Sequence, residues 1–178
     1  MRKRTSANKG VRNSSYWLPA VAEATLMKNN FRMKFLRTRY LSDNNITKLE
    51  NSAFLNLSNL VELNLAHNNI SKFSSNVFIG LSKLRSLSIQ NNILTEIPNS
   101  CTGTVEHLDV NQLQSVPRGS LKSLRRLQKL WLNGNQLREI PSQALSQLPE
   151  LEALDLGENK IHTVPDYAFQ NLTKLVIL

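Results

Sequence analysis

Residues 60–70 read LVELNLAHNNI, and the same order of apolar residues and asparagine returns along the chain. In the form LxxLxLxxNxI it starts again at Leu84, Leu127 and Leu151, with a partial copy at Leu36 (LRTRYLSDNNI) and a degenerate one at Val105 (VEHLDVNQL). Leu175 opens a seventh. The starts at 36, 60, 84, 105, 127, 151 and 175 lie 24, 24, 21, 22, 24 and 24 residues apart. So short a period holds one strand and one return arm, which is too little chain for a pair of helices.

Side chains alternate along a strand, so the residues at positions four and six point inward and those at three and five point outward. The asparagines at position nine (Asn44, Asn68, Asn92, Asn135 and Asn159) stand where the chain leaves the strand. Backbone groups there lack ladder partners, and an amide side chain can both donate to them and accept from them. Beyond the asparagine, position fourteen is apolar (Leu49, Phe73, Val164), position nineteen is Phe or Leu (Phe54, Phe78, Leu145, Phe169), and position twenty-two is Leu (Leu57, Leu81, Leu148, Leu172). These residues are expected to fill each turn from its outer side. Prolines at position fifteen (Pro98, Pro117, Pro141, Pro165) suit an extended outer path. The expected fold is an α/β solenoid: a concave parallel β-sheet, a convex side of loops and short helical turns, six turns and the start of a seventh.

This pattern resembles the typical 24-residue class of leucine-rich repeats, over about residues 36–178. The resemblance implies a horseshoe that binds proteins, found in animal cell-surface receptors and secreted matrix proteins. Residues 127–141 (LQKLWLNGNQLREIP) and 151–178 (LEALDLGENKIHTVPDYAFQNLTKLVIL) are further similar to the ectodomains of leucine-rich-repeat G-protein-coupled receptors, which bind secreted growth factors. Secreted members of the class usually carry cysteine-rich caps, and neither is present. The strand opened by Leu175 and cut at Leu178 therefore reads as a fragment, with exposed ends that predict a marginal, aggregation-prone monomer. Two repeats depart from the pattern. The one at Val105 lacks two residues between Val110 and Asn111, and the one at Leu84 has NSCTGT in place of its outer Phe and Leu.

The formal charge of +9 is confined to one end. Residues 1–40 hold ten Lys or Arg and one acid, 10 − 1 = +9, while the rest hold twelve of each sign, 12 − 12 = 0. Residues 1–35 read as a basic, poorly ordered segment. Such a run is ordinarily a solvated tail, so binding to nucleic acid is not expected, although Tyr16 and Trp17 lie nearby. The stretch 16–27 (YWLPAVAEATLM) is broken by Pro19 and Glu23 and makes a poor secretory leader. No run reaches the roughly 20 apolar residues of a membrane span, so membrane association is expected only through parts absent from this chain.

The outward strand positions are Thr38 and Tyr40, Glu62 and Asn64, Ser86 and Ser88, His107 and Asp109, Lys129 and Trp131, Ala153 and Asp155. Trp131 is the residue a partner would most profit from covering. With Glu62, His107, Asp109, Lys129 and Asp155 it forms the expected ligand-binding face, Asp109 and Asp155 flanking the tryptophan to suit a basic partner with an apolar anchor. Asn-x-Ser/Thr occurs at Asn13, Asn45, Asn56, Asn69 and Asn171, the last four being glycosylation candidates within the repeats.

Enzymatic readings find no footing. Cys101 is the single cysteine, which excludes an intrachain disulfide and a cysteine-based zinc site. With His107 and Asp109 it makes no credible triad, because an outer arm and a strand share no oxyanion donors. His67 and His162 belong to different repeats and faces, and no phosphate loop or HExxH occurs. No metal or cofactor is expected. The chain reads as a protein-binding module at the cell surface or outside the cell. The alternative is an intracellular scaffold, against which the 24-residue, Phe-bearing unit speaks.

Overall fold

The computed structural model describes residues 35–51, 53–98 and 105–178. The basic segment assigned to residues 1–35, Asn13, and the NSCTGT stretch with Cys101 therefore lie outside the described residues, apart from Phe35. Six three-residue strands follow in chain order: β1 (Thr38–Tyr40), β2 (Glu62–Asn64), β3 (Ser86–Ser88), β4 (Val105–His107), β5 (Lys129–Trp131) and β6 (Ala153–Asp155). They form one parallel sheet in the order β1-β2-β3-β4-β5-β6, and Ile177 bridges to Ala153 beyond β6. Each strand pairs with the next repeat's copy of itself: Leu63 lies opposite Leu87, and Leu130 opposite Leu154. The result is the expected solenoid, with, among the described residues, one short helix, α1 (Ser142–Leu145).

The core is a stack of the template's own leucines. Leu60, Leu63, Leu65 and Ile70 of the second repeat are fully buried, as are Leu127, Leu130, Leu132 and Leu137 of the fifth. Burying one such side chain contributes on the order of 2 kcal/mol, so the stack supplies most of the driving force. On the convex side Phe54 and Phe78 stack with centroids 6.2 Å apart, and Phe73 packs on Phe78 at 5.1 Å. Phe169 and Leu49 are partly buried against the same core. Val164 departs from the expected filling role and is 67% exposed. Arg39 departs the other way. It holds the inward position of β1, opposite Leu63, and is 7% exposed.

The asparagine ladder holds one turn to the next. Asn135 Nδ2 donates to the Leu132 carbonyl of its own turn and the Leu108 carbonyl of the previous one, both at 3.0 Å. Its Oδ1 accepts from Leu113 N–H, also at 3.0 Å. Asn68, Asn92, Asn111 and Asn159 repeat the arrangement. Just before each asparagine the backbone is left-handed: φ is 58° at Asp43, 54° at His67, 52° at Asn91, 50° at Val110, 64° at Gly134 and 51° at Glu158.

This ladder corrects the register of the fourth repeat. Asn111 reaches the Leu108 and Ile89 carbonyls as Asn135 reaches Leu132 and Leu108, so Leu108 is the sixth residue of its unit and His107 the fifth. The ladder asparagines are then spaced 68 − 44 = 24, 92 − 68 = 24, 111 − 92 = 19, 135 − 111 = 24 and 159 − 135 = 24. No residues are missing between Val110 and Asn111. All five absent residues belong to the stretch between Asn92 and Asn111. The strand absorbs the irregularity with a bulge: Leu87 pairs with Val105 and the next residue, Ser88, pairs with His107. Val105 fills the inward leucine site and is fully buried, leaving Glu106 as the extra residue.

The position-fifteen prolines also act differently from the extended path expected of them. The carbonyls of Pro117, Pro141 and Pro165 accept from the N–H of Ser120, Ala144 and Ala168, each starting a turn of the convex arm. Pro141 stands at the N-cap with φ −80° and ψ 56°, just outside the helical turn, where a residue without an N–H loses no hydrogen bond.

Candidate functional site

The lateral register decides which outward side chains meet. His107 lies opposite Trp131, and Trp131 opposite Asp155, so the tryptophan stands between an imidazole and a carboxylate. The His107 and Trp131 rings are 6.4 Å apart and tilted by 31°. Trp131 is partly buried and keeps some exposed surface. Lys129 is exposed two residues earlier on the same strand, and Ala153 beside it is buried, contrary to its expected outward role.

Asp109 does not flank Trp131. The corrected register moves it past the end of β4 to the seventh position, where its Oδ1 is 3.5 Å from His107 Nδ1. That oxygen is shielded from solvent and, among the described residues, makes no hydrogen bond. Gln90 holds the seventh position of the preceding repeat, and its Oε1 is likewise shielded and unmatched among the described residues. Asp155 is partly committed, its Oδ1 accepting from Gly157 N–H at 2.8 Å. The same geometry occurs in β2, where Asn64 Oδ1 accepts from Ala66 N–H at 2.9 Å.

Glu62 is not brought to this group. It sits on β2, three strands from β5, roughly 14 Å away at ordinary strand spacing. Its partner is Tyr40, which hydrogen-bonds to it across β1 and β2. Burial, then the Glu62 charge, then that hydrogen bond hold the Tyr40 hydroxyl above its ordinary pKa of 10.0. Sequence reasoning placed neither Gln90 nor Tyr40 in the site. The signal for Gln90 was available in its seventh-position spacing from Ile89 and Asn92, but the misplaced register hid its neighbour.

Asn45, Asn56, Asn69 and Asn171 are all exposed. Asn45 and Asn69 are stacked on consecutive turns just past the strands, with Asn69 Nδ2 donating to Asn45 Oδ1 at 2.8 Å. Asn56 and Asn171 lie late in their convex arms. None of the four is on the concave sheet. Among the described residues no three of His, Cys, Asp and Glu converge as a metal site requires.

Comparison with known proteins agrees with this architecture. The family model described as "Leucine rich repeat" matches residues 36–94, 107–161 and 125–178. Those segments take in most of the chain, and the protein belongs to the leucine-rich repeat family. Among solved structures it is similar to a leucine-rich-repeat protein of Leptospira interrogans, with 30% identity and a TM-score of 0.70 over 82% of this chain and 37% of that one. It is similar also to TLR13 in its complex with ssRNA13, at 25% identity and a TM-score of 0.74 over 80% of this chain and 21% of the receptor. An internalin from Listeria monocytogenes shares the fold at 22% identity and a TM-score of 0.58, over 80% of this chain and 47% of its own. The chain thus spans less than half of each of these proteins. A search of curated protein sequences gives no match. The family is one of interaction scaffolds, and this chain is a protein-binding repeat module.

Proposed function

We propose that the module is part of a cell-surface receptor or extracellular matrix protein and that it captures a basic protein segment on its concave sheet. One observation carries the proposal: Trp131 lies between His107 and Asp155 and is only partly buried, with the Asp109 carboxylate on the adjoining turn. An apolar side chain can cover the exposed part of Trp131 while Lys or Arg donors pair with the Asp109 and Asp155 carboxylates. The gain is then concentrated in a few residues, as in other interfaces. Lys129 at the margin selects against a partner whose charge there is positive.

The position of the sequons supports the extracellular setting. Glycans on Asn45, Asn56, Asn69 or Asn171 would occupy the flanks and the convex side and leave the sheet open.

The test is to express the chain behind a secretion leader in animal cells and weigh it before and after enzymatic removal of N-linked glycans. A mass loss supports the surface reading. Folded, secreted but unglycosylated protein favours the intracellular scaffold. Wild type and Trp131→Ala are then compared against an array of secreted proteins. The expected result is a partner whose binding weakens at least tenfold in the variant, and a partner held equally by both refutes the role given to Trp131.

A further inference from the structure

Residues 41–178 are electrically balanced as a whole, with twelve Lys or Arg and twelve acids, yet one stretch is not. No acidic residue occurs between Asp109 and Glu139, while Arg118, Lys122, Arg125, Arg126, Lys129 and Arg138 all do. The first four occupy a single convex arm, and all four are exposed. That arm is a run of tight turns, with Ser120 N–H donating to Pro117 O, Lys122 to Gly119, Leu124 to Leu121 and Leu127 to Leu124. A three-residue period sends Leu121 and Leu124 inward and sets Lys122 and Arg125 on one outer face. At about 2 Å per residue the four charges fall within roughly 16 Å, close enough to reinforce one another at a physiological screening length of about 8 Å.

In sequence, the neighbouring arms offer little charge to cancel them. The stretches 97–104 and 140–149, which belong to the repeats on either side, contain no charged residue. Glu150, one turn on from Arg126, is already bound to Lys174 at 2.6 Å. Among the described residues none of the four cations has an ion-pair partner. Elsewhere the stacked turns do match their long side chains, as Lys83 does with Asn59 at 2.7 Å.

We propose that the convex arm at residues 117–126 docks a linear sulfated polysaccharide, held by Arg118, Lys122, Arg125 and Arg126. Three of the four are arginines, whose planar forks grip tetrahedral oxyanions at two points. A polynucleotide fits less well, because residues 110–130 contain no aromatic side chain on which a base could stack. The choice of a polysaccharide rests on the cell-surface reading, whereas the strip itself does not. It faces away from Trp131, so a protein on the concave sheet and a polysaccharide on the convex arm can be held together.

The full chain is loaded on heparin resin and eluted with rising salt. Changing Arg118, Lys122, Arg125 and Arg126 to Ser is expected to bring elution to lower salt and to reduce the slope of log affinity against log salt by about 3. Exchanging the three arginines for Lys keeps most of the retention, and Trp131→Ala elutes with the wild type, so this result is independent of concave binding. Should the quadruple change alter the circular dichroism, Arg125→Ser and Arg126→Ser singly read the same shift on a smaller scale. Co-elution of the Ser variants with the wild type overturns the proposal. So does a chain that loses all retention when Arg2, Lys3, Arg4 and Lys9 are changed to Ser with the strip intact. Displacement from the resin by oligo-dT at a lower concentration than by free heparin overturns the choice of ligand.

Discussion

Replacing Asn135 by alanine probes the device that locks one turn to the next. The side chain is 5% exposed and serves backbone groups of two turns. Its loss strips the buried Leu113 N–H of its acceptor, which costs about 1–3 kcal/mol. The Leu108 carbonyl loses one of two donors, since Asn111 still reaches it at 3.2 Å, and the Leu132 carbonyl keeps Asn159 at 2.9 Å. Each partial loss is worth about 0.5–1 kcal/mol, so the total is about 2–5 kcal/mol. Asn44 is the contrast. Among the described residues its amide donates only within its own turn, to Leu41 and Ser42 at 3.1 and 2.9 Å, and it is only partly buried. Asn44→Ala should therefore cost about 1 kcal/mol. Urea unfolding followed by circular dichroism compares the two. Equal losses for Asn44→Ala and Asn135→Ala would show that bonding between turns is not what the ladder supplies.

Three further outcomes follow from single positions. Val110 is a β-branched residue held at φ 50°, so Val110→Asn should raise stability by about 1 kcal/mol, read as a higher urea midpoint. Gly80 has φ 92°, and a Cβ there would meet the Leu55 carbonyl oxygen at 2.7 Å, so Gly80→Ala should cost at least about 2 kcal/mol and lower the melting temperature. The raised Tyr40 pKa means that the folded state keeps the phenol proton longer than the unfolded chain does. The associated stability is present below pH 10.0 and is lost as pH rises from there through the folded value. Tyr40→Phe should flatten that alkaline loss in a pH series of urea midpoints, and an unchanged profile would contradict the Tyr40–Glu62 pairing.

The residues that could be read in advance were those whose role follows from their own spacing. Leu60, Leu63 and Leu65 face inward because alternation and burial agree, and Asn68 anchors the turn because only an amide serves donors and acceptors at once. Trp131 was likewise legible as an outward aromatic. Its neighbours were not. In the fourth repeat VEHLDV fits the apolar template in two registers, and the one that keeps Val105, Leu108 and Val110 in the leucine places is the more regular in one dimension. The structure adopts the other, because the stacked turns share backbone hydrogen bonds. Asn111 has to meet the Ile89 and Leu108 carbonyls, whereas a three-residue strand tolerates a bulge at Glu106.

By itself the sequence determined the repeat, the inward leucines, the ladder and therefore the parallel solenoid, since each depends on a period that recurs along the chain. The tertiary structure decided what lies beside what: His107 and Asp155 around Trp131, Asp109 moved beyond the strand next to Gln90, Glu62 given to Tyr40 instead. Lateral neighbours belong to different turns, 19 to 24 residues apart, and which of them meet depends on how the turns stack and not on the spacing within any one turn.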